Sequence, residues 1–97
     1  MKHCIIVKFS EQVTDKAALT DKVSELYFQW HDYPFIKGCE LLPNCVDRSN
    51  RYDLMIVLDM DKADLELWDN CALHKKWKAD FGDMVSSKAI FDWEQKL

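Results

Sequence analysis

Ninety-seven residues, 48% of them apolar and 31% charged, suffice for one globular domain spanning 1–97 and are too few for two. The net charge of −4 excludes an ordinary nucleic-acid module, which needs a basic face to neutralise phosphates. No stretch nears the ~20 apolar residues of a membrane span, and the apolar run in Met1-Lys2-His3-Cys4-Ile5-Ile6-Val7 is too short for a signal peptide, so a cytoplasmic protein with neither membrane nor nucleic-acid partners is expected.

With only two Gly and two Pro, the chain should consist of long regular elements and short loops. Lys2 to Phe9 alternates as a strand, with His3, Ile5, Val7 and Phe9 on one face and Cys4, Ile6 and Lys8 on the other. Thr14 or Asp15 can cap a helix reaching about His31, its apolar stripe formed by Leu19, Val23, Leu26, Tyr27 and Trp30. Asp32-Tyr33-Pro34 ends it, because the residue before proline is pushed out of the helical region. His31 is then placed to bond the last carbonyls of that helix. Ile36 to Leu42 reads as a second strand, with Gly38 marking a bend or bulge. Polar residues from Pro43 to Arg51 form a loop, and Tyr52 to Met60 is a third strand. Asp61 is a candidate N-cap for a second helix carrying Leu65 and Trp68. Asn70 breaks that helix, Ala72 to Val85 continues it to Ser86-Ser87, and Lys88 to Glu94 alternates as a fourth strand. The order β-α-β-β-α-β predicts an α+β, ferredoxin-like fold: a four-stranded antiparallel sheet with helices on one face.

Helices on one side leave the other side of the sheet bare. Cys4, Ile6, Met55 and Val57 fall on it. Together they form an apolar patch of the kind that monomers avoid, and a two-fold copy of the same sheet covers it most simply, closing an eight-stranded dimeric barrel. A monomer roofed by its own Pro43–Arg51 loop is the rival arrangement. The four cysteines at 4, 39, 45 and 71 contain no C-x-x-C pair and no zinc-like Cys/His cluster, so free thiols and no metal site are expected. Asp59, Asp61 and Asp64 lack the Gly and Glu of a calcium loop.

The start Lys2-His3-x-Ile5-x-Val7-Lys8-Phe9, the run Arg51-Tyr52-Asp53-Leu54, the break Asn70-x-Ala72-x-His74 and the closing Ile90-Phe91-Asp92-Trp93 resemble the stress-responsive A/B barrel (Dabb) family over essentially the whole chain. The resemblance implies a ferredoxin-like dimeric α+β barrel. The family includes plant stress proteins, bacterial proteins without assigned activity, and a plant polyketide cyclase that closes a ring by aldol condensation without a cofactor. Carried over from that cyclase, His74 takes the place of the general base and His3 that of a second cavity histidine. Trp68 stands where the cyclase has a tyrosine that holds the substrate carbonyl, and Leu54 replaces a third cavity histidine. Where many relatives have His-Pro after the helix break, this chain has Cys71-Ala72.

On their own chemistry, His3 and His74 are candidates to remove a proton next to a carbonyl at neutral pH. Trp68, Trp30 and Trp77 would line an apolar pocket around them. The structural alternatives are a carbonyl-capping or Asp69-paired His74 and a His3 that closes the sheet edge with one hydrogen bond. Two functions are therefore expected. The first is a homodimeric A/B barrel protein of unassigned activity that binds a small apolar molecule or protects under stress. The second is a cofactor-independent cyclase, isomerase or monooxygenase-like enzyme acting on a small carbonyl compound, with His74 as general base. A pocket reaching both histidines from solvent separates the enzyme from the protective dimer.

Overall fold

The computed structural model describes residues 1–95. Strand β1 (Lys2–Phe9) lies inside the sheet between β3 (Leu54–Met60) and β4 (Val85–Trp93), while β2 (Ile36–Pro43) flanks β3. The order β2-β3-β1-β4, antiparallel throughout, is the ferredoxin-like arrangement read from the sequence. Register fixes the faces: Ile5 stands opposite Ile56 and Ile90, whereas Cys4 stands opposite Val57 and Phe91. The expected bulge at Gly38 is present as a register shift between Ile36 and Gly38.

Helix α1 (Lys16–Tyr27) starts where the Asp15 carboxylate accepts the Ala18 N–H at 3.0 Å. It buries Leu19, Val23, Leu26 and Tyr27. Beyond Tyr27 the chain tightens into a 3₁₀ turn, Phe28–Asp32, and extends at Tyr33 before the proline. His31 Nδ1 donates to the Phe28 carbonyl at 2.9 Å, as expected for a histidine at a helix end. The second helical unit is split into α2 (Leu65–Asn70) and α3 (Ala72–Phe81) by an extended Cys71. A tyrosine from elsewhere in the chain caps α3: the Leu73 N–H donates to the Tyr33 hydroxyl at 3.0 Å.

Several boundaries differ from the sequence reading: α1 ends at Tyr27 and not near His31, and β4 starts at Val85 and not at Lys88. Asp61 makes no side-chain cap; its carboxylate binds Lys37 at 2.7 Å, and a 3₁₀ turn, Lys62–Asp64, leads into α2. The helix expected to run to Val85 stops at Phe81, and a 3₁₀ turn, Gly82–Met84, leads into β4 at Val85. β3 begins at Leu54, and just before it the Asp53 carboxylate accepts the Phe9 N–H at 2.7 Å.

Between the sheet and the helices, Ile5, Val7, Phe9, Leu54, Ile56, Leu58 and Met60 pack against Trp68, Leu73 and Trp77, all buried. On the opposite face Ile6, Met55 and Val57 are half-buried, and β4 and β2 add Phe91 (61% exposed), Trp93 (47%) and Leu42 (45%). Cys4 shares this face but is already buried, which pushes its thiol up. The Pro43–Arg51 loop leaves Phe91 and Trp93 exposed, so it does not roof this face.

Candidate active site

Side chains of β1 and β3 that point toward the helices are buried, but those of β4 on the same side are not. Lys88 stands opposite Val7, Ile90 opposite Ile5 and Asp92 opposite His3, and all three are exposed. The shelf left between β4 and the α2–α3 pair is a pocket of about 310 Å³, lined among others by His3, Trp68, His74, Trp77, Ile90 and Asp92. Exposed lining residues open it to solvent. Four of the residues singled out in the sequence thus meet in one place. Trp30 is not part of the pocket wall, and neither is Leu54, which stands opposite Val7 in the closed core, 2% exposed.

His3 is 6% exposed, and its Nδ1 is hydrogen-bonded to the Asp92 carboxylate across the β1–β4 ladder. A carboxylate only accepts, so Nδ1 carries the proton and, in the neutral ring, Nε2 holds the lone pair. His74 Nδ1 lies 3.0 Å from the Asp69 backbone carbonyl. That oxygen also only accepts, so the same tautomer is fixed and Nε2 is again the basic nitrogen. The carbonyl contact foreseen for His74 therefore exists, whereas His3, on a strand inside the sheet, closes no edge and binds Asp92; each contact occupies one ring nitrogen while leaving the other.

Trp68 neighbours both imidazoles. Its ring centroid is 6.4 Å from that of His3, edge-on, and 4.9 Å from that of His74. Tyr27 stacks behind it at 6.2 Å and also meets Trp77 at 5.5 Å, which holds both indoles in place. The Tyr27 hydroxyl is buried without a hydrogen-bond partner among the described residues, and burial raises its pKa well above the ordinary value. It belongs to the core and not to the pocket wall. Trp68 offers the site a single N–H donor and no titratable oxygen.

Asp92 is the functional candidate that sequence reasoning missed. The signal was present: Asp92 alternates with Ile90 and Lys88 on one face of a strand. What the sequence lacks is the register that sets residue 92 opposite residue 3. All four cysteines are free, and among the described residues no cluster of three or more His, Cys, Asp or Glu side chains could hold a metal ion. Among the same residues no helix is long and apolar enough to cross a membrane.

By sequence, neither a family model nor a curated protein matches the chain. By structure, a dimeric protein of unknown function with a ferredoxin-like fold from Bacteroides fragilis superposes with a TM-score of 0.81 at 15% identity, over 97% of this chain and 94% of that one. The fold is ferredoxin-like, of the kind found in the dabb proteins. A dabb family protein from Mesorhizobium loti superposes with a TM-score of 0.72 at 12% identity, covering 98% and 95% of the two chains. A hydroxynitrile lyase from Passiflora edulis gives 0.73 at 11% identity, covering 93% and 87%.

Proposed function

We propose that this chain is a cytoplasmic, homodimeric member of the stress-responsive A/B barrel family, and that it is a cofactor-independent enzyme moving a proton next to the carbonyl of a small compound. The observation that carries this reading is the solvent-open pocket that reaches both His3 and His74. That a hydroxynitrile lyase is built on the same fold supports an enzymatic reading.

The roles differ from those the family resemblance implied. Asp92 backs His3 and not His74, so His3 is the better base: its Nε2 takes the proton from carbon while the carboxylate stabilises the imidazolium that forms. The electron pair moves onto the carbonyl oxygen. His74, oriented by the Asp69 carbonyl, hydrogen-bonds that oxygen from Nε2 in its protonated form. Trp68 and Trp77 form the apolar wall that keeps the substrate between the two rings. Homodimerisation is supported by the exposed aromatic sheet face and by the dimeric protein of the same fold.

Deuterium exchange at the α-carbons of 2-pentanone in D₂O, followed by NMR, tests the chemistry. The protein should catalyse exchange, and His3→Ala or His74→Ala should each lower the rate on the order of 10²-fold or more. Exchange no faster than with free imidazole at equal concentration removes the enzymatic reading. The second reading, a non-catalytic stress-protective or small-molecule-binding dimer, is favoured by one residue: Trp68, beside both imidazoles, offers no acid–base hydroxyl.

A further inference from the structure

The pocket does not end at the histidines. A second cavity of about 400 Å³ lies along β4 beyond it, between the end of α3 and Ser86-Ser87, and the two share Trp77, Lys78 and Lys88 in their walls. One groove therefore follows β4, and its charges are segregated. Asp92 and Asp69 lie at the histidine end, with Asp92 engaged by His3. Lys78 and Lys88 stand where the two cavities meet.

Both walls give the same polarity independently. On α3, His74 and Lys78 are four residues apart, hence one turn apart on one face. On β4, Asp92 and Lys88 are also four residues apart, so they share a face, with α-carbons ~13 Å from each other. Helix and strand thus each place an acid–base group at one end of the groove and a lysine at the other. Lys88 is also anomalous as a strand residue, because it occupies the helix-facing side opposite fully buried Val7, where an apolar side chain would be ordinary. Among the described residues neither Lys78 nor Lys88 has a carboxylate partner, a property shared with Lys8, Lys22, Lys62, Lys75 and Lys76, so it is their place in the groove that sets these two apart.

We propose that Lys78 and Lys88 are an anion clamp and that the substrate is an oxo acid, its carboxylate held between the two ammonium groups while its carbonyl lies between His3 and His74. This specificity rests on the enzymatic reading of the pocket. Allowing for the reach of the two lysine stems, the groove fits a chain with about three to six carbons between carboxylate and carbonyl.

The test compares 5-oxohexanoate with its methyl ester, titrated into the protein while the imidazole signals of His3 and His74 and the ammonium signals of the lysines are followed by NMR. The acid should bind at least tenfold more tightly than the ester at low salt, and the advantage should collapse in 0.5 M sodium chloride, about the range where exposed charges are screened. In Lys78→Gln/Lys88→Gln, with the imidazole signals of the free protein in place as a check on folding, the acid should fall to the affinity of the ester. Equal binding of acid and ester to the unaltered protein, with the imidazoles responding to both, overturns the clamp and leaves the pocket chemistry standing. A preference that survives in the double variant overturns it equally. Failure of both compounds to move either imidazole overturns the clamp together with the reading it rests on.

Discussion

His3 and His74 carry one chemical fact each: a nitrogen tied to an oxygen that can only accept, and a second nitrogen left basic. The quality of the base then depends on what backs it, and here one residue decides. Replacing Asp92 by Asn permits an amide N–H to face Nδ1, which shifts the His3 proton to Nε2 and removes the lone pair from the pocket. Exchange of 2-pentanone should fall on the order of 10²- to 10⁴-fold, while thermal unfolding followed by circular dichroism stays close to that of the unaltered protein. A rate unchanged in Asp92→Asn would assign the proton transfer to His74 alone. The cysteines give a second prediction at this scale. Burial pushes the Cys39 thiol up to about 11, so at pH 8 it is almost wholly protonated, whereas Cys45 is exposed. Iodoacetamide should alkylate Cys45 first and Cys39 much later, as read by mass spectrometry of the time course. The raised value also has a sign for stability. The unfolded thiol ionises near its ordinary 9.0 and the folded one does not, so the contribution of Cys39 is intact below pH 9 and is lost as the pH climbs toward 11.

Elements were legible where hydrophobic period alone defines them, and illegible where one side chain reaches across the fold. The alternation of Lys2 to Phe9 and the stripe of Leu19, Val23 and Leu26 are local, and both became the elements expected. Asp61 and Asp53 show the opposite. Each stands at the edge of an element in the sequence, and each is claimed by a distant partner, Lys37 in one case and the Phe9 N–H in the other. Asp53 makes three bonds to two elements: Oδ2 accepts from Phe9 at 2.7 Å beside the bulge in β1, Oδ1 accepts from Lys16 at 2.9 Å on α1, and its own N–H donates to Val7 of β1 at 2.8 Å. Its side chain is largely buried, so Asp53→Ala leaves a backbone donor unpaired and should cost about 1–3 kcal/mol by chemical denaturation. Lys16→Met should cost far less, since that ammonium is solvated. Equal losses in the two variants would make the ion pair, and not the Phe9 bond, the reason for Asp53.

At the scale of the whole molecule, the sheet has two jobs on two sides, and the period of two keeps them apart. Asp92 and Ile90 face the pocket, while Phe91 and Trp93 face away from it. The bare face could be read from β1 and β3, whose alternation is unambiguous, but its aromatic half could not. In β4 both sets of alternate residues contain apolar side chains, so only the pairing of residue 91 with residue 4 reveals which set faces outward. That pairing makes Phe91 and Trp93 the largest exposed side chains on the face, each gaining about 1.5–3 kcal/mol if a partner covers it fully. Covered Cys4, by contrast, has little left to contribute. Light scattering should therefore find a dimer at micromolar concentration, and Phe91→Glu, which sets a charge against its own copy across a two-fold axis, should yield a monomer. Because residue 91 points away from the groove, that monomer should still exchange the protons of 2-pentanone at a rate per chain within about threefold of the dimer's. Exchange lost together with the dimer would mean that the second sheet shapes the pocket through the strand that separates them.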